Sequence, residues 1–150
     1  IMIVDLMRND LGKICINGSV EVTRLLATED HPGLQHLVSD VEGDLQQGIS
    51  WSNIFEALSP PGSVSGAPKS SALSVINENE QARGPYCGAL GWVEGDRAAL
   101  SVAIRIFWKD EKLNFGTGAG ITFSSDSLNE WEETELKAAR LIKIAAGLQQ

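Results

Sequence analysis

The sequence predicts an α+β fold, an antiparallel sheet meander with packed helices, forming one domain or one piece of one. Between Tyr86 and Ile121 three strand-like stretches follow one another, joined by tight turns at Glu94-Gly95-Asp96 and Lys109-Asp110-Glu111. Helical patterns lie outside this group instead of alternating with its strands, which disfavours a parallel βαβ sheet. No internal repeat or low-complexity linker divides the 150 residues.

The elements follow in order. Leu6 and Asp10 stack by four and Gly12 marks a stop, so the opening residues read as a helix. No N-cap or polar lead-in precedes it, and the chain is expected to be part of a longer polypeptide whose helix begins earlier. Ile14 to Leu26 reads as extended, with Asn17-Gly18 as turn chemistry. Leu34 to Val41 alternates partially, as a strand does. Ser52 is the expected cap of a short helix carrying Ile54, Phe55 and Leu58, ended by Pro60-Pro61-Gly62. Ser63 to Lys69 reads as a loop, and Pro68 suits the start of a helix burying Ala72, Leu73, Val75 and Ile76. The strands are expected at Tyr86–Val93, Ala98–Trp108 and Lys112–Ile121. A last helix, Leu128 to Ala146, is expected to start on Ser127 and to bury Leu128, Trp131, Leu141 and Ile142.

Composition narrows the function. A hydrophobic content of 43% in 150 residues supports a real core. The net charge of -8 and the scattering of twelve basic residues argue against a nucleic-acid partner, because phosphate binding needs clustered Lys and Arg. No apolar run approaches the roughly 20 residues of a membrane span. Cys15 and Cys87 fit no zinc spacing, and they read as reduced, buried thiols of a cytoplasmic protein.

Several residues could carry chemistry. Glu130, Glu133 and Lys137 are spaced by three and then four, so at about 100° per residue they share a narrow helix face. Two carboxylates a turn apart can present hard oxygens to magnesium, with the lysine holding an anion beside it; the same spacing also describes a solvated Glu-Lys surface. Gly116-Thr117-Gly118-Ala119-Gly120 lets backbone amides approach a carboxylate, or simply permits close packing. Arg105, within an apolar stretch, needs a partner, either a substrate carboxylate or a structural acid. His36 fits a hydrogen-bonded core histidine or a general acid/base. Ser63 has a hydroxyl but no nucleophile elbow around it, and Lys69, at a helix start, reads as solvent-facing.

Taken together these segments resemble a known family. Met2-Ile3-Val4-Asp5-Leu6-Met7-Arg8-Asn9-Asp10-Leu11-Gly12 is similar to a hallmark of the chorismate-utilising enzymes. The similarity continues in family order through His36-Leu37-Val38-Ser39, Pro61 to Lys69 and Tyr86 to Gly91. It ends with Ala103-Ile104-Arg105, Gly118 to Ile121, and Glu130 to Thr134 with Lys137. That family includes anthranilate synthase component I, aminodeoxychorismate synthase component I, and isochorismate and salicylate synthases.

The resemblance implies a role for each residue. Glu133 would be a direct magnesium ligand and Glu130 a ligand or its immediate support, with Lys137 following the motif. Arg105 and Tyr86 would hold the enolpyruvyl carboxylate of chorismate, and the amides of Gly118, Ala119 and Gly120 would bind a carboxylate. Ser63 would lie near the ring and His36 would face it. Ammonia would come from a glutamine amidotransferase subunit or domain. By resemblance residues 1–150 are the C-terminal portion of the chorismate-binding fold. The remaining acidic magnesium ligand, a general acid and the motif separating the members would then lie upstream of Ile1. The 150-residue chain alone is therefore expected to be inactive. Among members, the wording of the Gly116–Ile121 and Glu130–Lys137 segments points to aminodeoxychorismate synthase component I, with anthranilate synthase component I as the alternative.

Overall fold

A computed structural model describes residues 2–31 and 34–148. Five helices and six strands are placed among them: α1 (Met2–Gly12), β1 (Glu21–His31), β2 (Leu34–Glu42), α2 (Trp51–Leu58), α3 (Gly62–Ser65), α4 (Lys69–Asn79), β3 (Ala89–Glu94), β4 (Arg97–Val102), β5 (Phe107–Lys109), β6 (Leu113–Phe115) and α5 (Ser127–Ala145). All strand pairing is antiparallel, in three two-stranded sheets, β1-β2, β3-β4 and β5-β6. The predicted α+β class is the observed one. The chain forms two compact units, Ile1–Ser74 and Val75–Gln150, with α4 running from the first into the second.

In the first unit α1, α2 and α3 pack together around Ile14, Cys15, Ile54 and Ala57, with Leu11, Val20 and Trp51 closing over them. Cys15 is buried and burial pushes its thiol up from the ordinary value, as expected of an inert core cysteine. A Cβ on Gly43 would lie 2.9 Å from its sulfur, so glycine is what lets the backbone pass there. The β1-β2 hairpin extends to His31, five residues beyond the expected end of its first strand. Its polar stretch Thr28-Glu29-Asp30 has no alternation to signal a strand. Register shifts around Arg24 bend the ladder, and Arg24 bridges Asp40 and Glu29 at 2.7 Å each across the bend.

Two helix caps differ from expectation. Ser50, not Ser52, caps α2, its Oγ accepting the Asn53 amide at 3.2 Å. Asp126, not Ser127, caps α5, accepting the Asn129 amide at 3.1 Å. In both cases an earlier residue reaches the third amide of the helix, and at α5 a carboxylate suits the positive helix end better than a hydroxyl. The Ser63 loop contains a single helical turn, α3, closed by the Gly66 amide on the Gly62 carbonyl at 2.9 Å. The α4 residues expected in the core are not there: Leu73 and Val75 are exposed, Ala72 and Ile76 half-buried.

In the second unit the expected middle strand is interrupted. β4 stops at Val102 because the Ala103 amide turns to the Gly88 carbonyl and its own carbonyl takes the Cys87 amide, both at 2.9 Å. Strand pairing resumes only at Phe107, and β6 ends at Phe115, so Gly116 to Ile121 lies outside the described strands. On α5, Ala138 is buried and Leu141 half-buried, while Leu128, Trp131 and Ile142, expected inside, are exposed, Trp131 to 63%. The helix turns its small and polar face, not its large apolar residues, toward the glycine segment.

Candidate functional site

Two constellations stand out, one in each unit. In the second, the Tyr86 turn, the glycine segment and α5 come together. The turn is closed by the Tyr86 amide on the Arg83 carbonyl (3.2 Å) and the Gly88 amide on the Pro85 carbonyl (3.0 Å). The ring of Tyr86 lies flat against Gly116: a Cβ there would sit within van der Waals overlap of the ring carbons. Its hydroxyl reaches to 3.3 Å from where a Cβ of Gly118 would be. Burial, followed by the neighbouring Cys87, pushes that hydroxyl's pKa up to about 12, so it is a neutral hydrogen-bond donor at physiological pH.

Gly118 also meets α5. Lys137 Nζ lies 3.4 Å from the Gly118 carbonyl and 2.8 Å from Glu133 Oε1, and Thr117 Oγ1 donates to the Thr134 carbonyl at 3.2 Å. The Lys137 ammonium holds the exposed Glu133 carboxyl below its ordinary value. One turn earlier Ser125 Oγ donates to Glu130 Oε1, while Glu130 Oε2 is buried with no hydrogen-bond partner. A buried carboxylate oxygen without a hydrogen bond is costly unless a cation or another donor satisfies it. Two carboxylates a turn apart offer the hard oxygens magnesium prefers. Among the described residues no cluster of three or more His, Cys, Asp and Glu could hold a metal ion by itself, so this pair would supply only part of a ligand set. The donor set fits an open magnesium site.

Among the described residues, the amides of Gly118, Ala119 and Gly120 donate no hydrogen bond, which leaves them available to a carboxylate. Arg105 departs from its expected setting: it lies in an exposed bend after β4, not within an apolar strand. Its φ of 55° and the 65° of Cys87 are left-handed values at non-glycine residues. Such conformations cost on the order of 1–3 kcal/mol each and persist where the surroundings impose them. Both lie beside the Cys87–Ala103–Gly88 hydrogen bonds, which tie the Tyr86 turn to the segment leading into Arg105.

The first unit holds His36 and Ser63. His36 is exposed on β2, opposite Glu29 in register, and so is not a core histidine. Ser63 is half-buried in the first turn of α3. Lys69 is far from solvent-facing: its ammonium sits 3.0 Å from Asp10 Oδ1 and 2.6 Å from the Ala57 carbonyl.

Sequence reasoning missed Asp10, Lys69 and Arg83. Arg83 grips Glu80 through two 2.7 Å hydrogen bonds, approaches Cys87 Sγ at 3.7 Å and stacks 5.8 Å from the Tyr86 ring centre. Its position just before the Gly84-Pro85 turn was the available signal, since an arginine there can reach back over the turn.

Comparison with known proteins identifies the family. The family described as chorismate binding enzyme matches residues 1–143. Anthranilate synthase component 1 of Saccharolobus solfataricus is 42% identical over 99% of this chain and 36% of its own length. Its counterpart from Archaeoglobus fulgidus is 40% identical, over 99% and 36%. The chain thus spans about a third of the length of these curated relatives. Among solved structures, anthranilate synthase component I from Streptococcus pneumoniae superposes with a TM-score of 0.79 at 36% identity, covering 93% of this chain and 33% of that one. A Bacillus anthracis protein assigned as a 2,3-dihydroxybenzoate-specific isochorismate synthase gives 0.75 at 25% identity, covering 99% and 40%. The chain belongs to the chorismate-binding enzyme family.

Proposed function

We propose that this chain forms part of a magnesium-dependent anthranilate synthase component I, acting in the cytoplasm on chorismate with ammonia from a glutamine amidotransferase partner. The observation that carries the magnesium reading is the orphaned Glu130 Oε2 beside Glu133. The choice of member rests on the relatives cited above, which are named anthranilate synthase component 1. They favour this branch over the aminodeoxychorismate synthase suggested by the Gly116–Ile121 and Glu130–Lys137 wording, which stays as the second reading.

Chorismate carries two carboxylates, and the residues divide accordingly. Glu130 and Glu133 would hold magnesium, which when bound neutralises and orients one carboxylate. Lys137 stands beside that pair and balances its charge. The free amides of Gly118, Ala119 and Gly120 donate to a carboxylate, while Tyr86, neutral at pH 7, and Arg105 donate to that of the enolpyruvyl group. His36 is assigned to proton transfer at the ring, and the Ser63 hydroxyl to a hydrogen bond there. In the overall reaction ammonia forms the new C–N bond and the ring hydroxyl leaves as water. The enolpyruvyl group then leaves as pyruvate, giving anthranilate.

The test is product identification from the full-length product of the gene, supplied with chorismate, magnesium and ammonium. Fluorescent anthranilate with equimolar pyruvate is the expected outcome. An aminated product retaining the enolpyruvyl group would move the protein to the second reading, and no chorismate consumption would refute both.

A further inference from the structure

Asp10 is 1% exposed. Its Oδ2 accepts the Gly62 amide at 2.9 Å, and its Oδ1 lies 3.0 Å from Lys69 Nζ and 3.1 Å from Lys13 Nζ. One carboxylate on α1 therefore holds the first residue of α3 and the first residue of α4, the two ends of the segment 62–69. Lys69 extends the tie to the last turn of α2 through the Ala57 carbonyl at 2.6 Å. A Cβ on Gly62 would come to 3.4 Å from the same carboxylate, an ordinary van der Waals contact, so the carboxylate packs directly against this residue as well as accepting its amide.

Such an arrangement is a poor device for stability alone. A buried ion cluster roughly repays its own desolvation, and apolar residues of similar volume often serve as well. What a carboxylate adds is direction: it fixes an amide and an ammonium at defined angles. Within the fixed segment the hydroxyls differ. Ser65 Oγ is spent on the Pro61 carbonyl at 2.9 Å, whereas Ser63 Oγ has no hydrogen bond among the described residues. Ser63 directly follows the pinned Gly62 and is half-buried. The cluster also borders a cleft of about 430 Å³ lined by Asn9, Lys13, Gly66 and Ser70.

We propose that Asp10 is a positioning residue, which holds the 62–69 segment so that the Ser63 hydroxyl is presented to substrate. The role of Ser63 rests on the function proposed above; the clamp itself does not.

The test uses the full-length product of the gene. Asp10→Asn, Ser63→Ala and the double variant are compared in kcat and KM for chorismate, alongside amide hydrogen exchange. Asp10→Asn is expected to lower kcat at least about tenfold with KM within about threefold, and the double variant to fall no further than the worse single. Exchange at Gly62 to Gly66 should quicken about tenfold or more while that of Ile54 in the core holds. Lys69→Gln, which leaves the Gly62 hydrogen bond intact, should give a smaller version of the same pattern and serves if Asp10→Asn does not fold. Multiplicative losses in the double variant, or unchanged exchange at these amides, would overturn the proposal. Wild-type protein inactive on chorismate would refute the functional reading, and the exchange data would then decide the clamp alone.

Discussion

At the residue scale, the contact of Tyr86 with Gly116 is a tight constraint. An aromatic ring cannot bend aside as the end of a lysine can, so a methyl group at 116 must displace either the ring or the strand end. Gly116→Ala should destabilise the protein by about 1–3 kcal/mol, as overpacking does, and denaturant unfolding measures it. The φ of Gly116 plays no part, so an unchanged midpoint would mean that the ring is not seated there. Tyr86 is the sole tyrosine of the chain, and its phenolate absorbance should therefore titrate near pH 12 in the folded state, well above the ordinary 10.0. A folded pKa raised in this way contributes stability that is complete below pH 10 and disappears as pH climbs through 12. Asp10 works in the opposite sense. Burial raises its pKa, but the Gly62 amide, Lys69 and Lys13 more than reverse this, leaving it below 3.8. Its contribution is complete above that value and is lost as pH falls below it. In denaturant titrations between pH 6 and pH 2.5, roughly spanning that carboxylate range, Asp10→Asn should flatten the acid loss of stability. Equal slopes would show that Asp10 titrates alike in the folded and unfolded states, contrary to its lowered pKa.

The element scale explains what could be read from sequence and what could not. α5 was legible, because its face of Glu130, Glu133 and Lys137 follows from helical spacing alone. Its cap was misplaced by one residue: Ser127 and Glu130 spell a capping box, but Asp126 reaches the Asn129 amide first. Asp126→Ala should therefore cost about 1 kcal/mol, and Ser127→Ala less. Helical content and thermal unfolding would distinguish them, and the reverse order would restore the sequence reading. The β1-β2 arm was half legible. Its polar outer half is held by its ladder and the Arg24 pairs, neither of which leaves an apolar signature. The meander looked continuous because Ala98 to Trp108 is uniformly strand-like in composition. The break at Ala103 comes from long-range hydrogen bonds to Cys87 and Gly88, and local sequence cannot encode a partner fifteen residues away. The same break puts Arg105 into a left-handed bend, and an apolar neighbourhood in sequence then says nothing about its exposure.

At the scale of the whole molecule, each unit holds its own set of candidate residues. The first contributes the Asp10-clamped segment with Ser63, and His36 on an exposed strand. The second contributes a carboxylate pair with an orphaned buried oxygen, a lysine, and three unused amides on a glycine segment. The second set was almost wholly present in the sequence, since its parts are local in spacing. Asp10 was not, because its meaning depends on Gly62 and Lys69, more than fifty residues away along the chain. Membership of the chorismate-binding family and the shared fold account for why these segments occur in this order. The proposed magnesium site at Glu130 and Glu133 is expected to help hold a carboxylate of chorismate. The most direct measurement is equilibrium binding of chorismate to the full-length product of the gene, with and without magnesium, for wild type and for Glu130→Gln. Wild type should bind at least about tenfold more tightly with magnesium, and Glu130→Gln should lose most of that gain. Equal affinity with and without the metal, or a full magnesium response in Glu130→Gln, would contradict it.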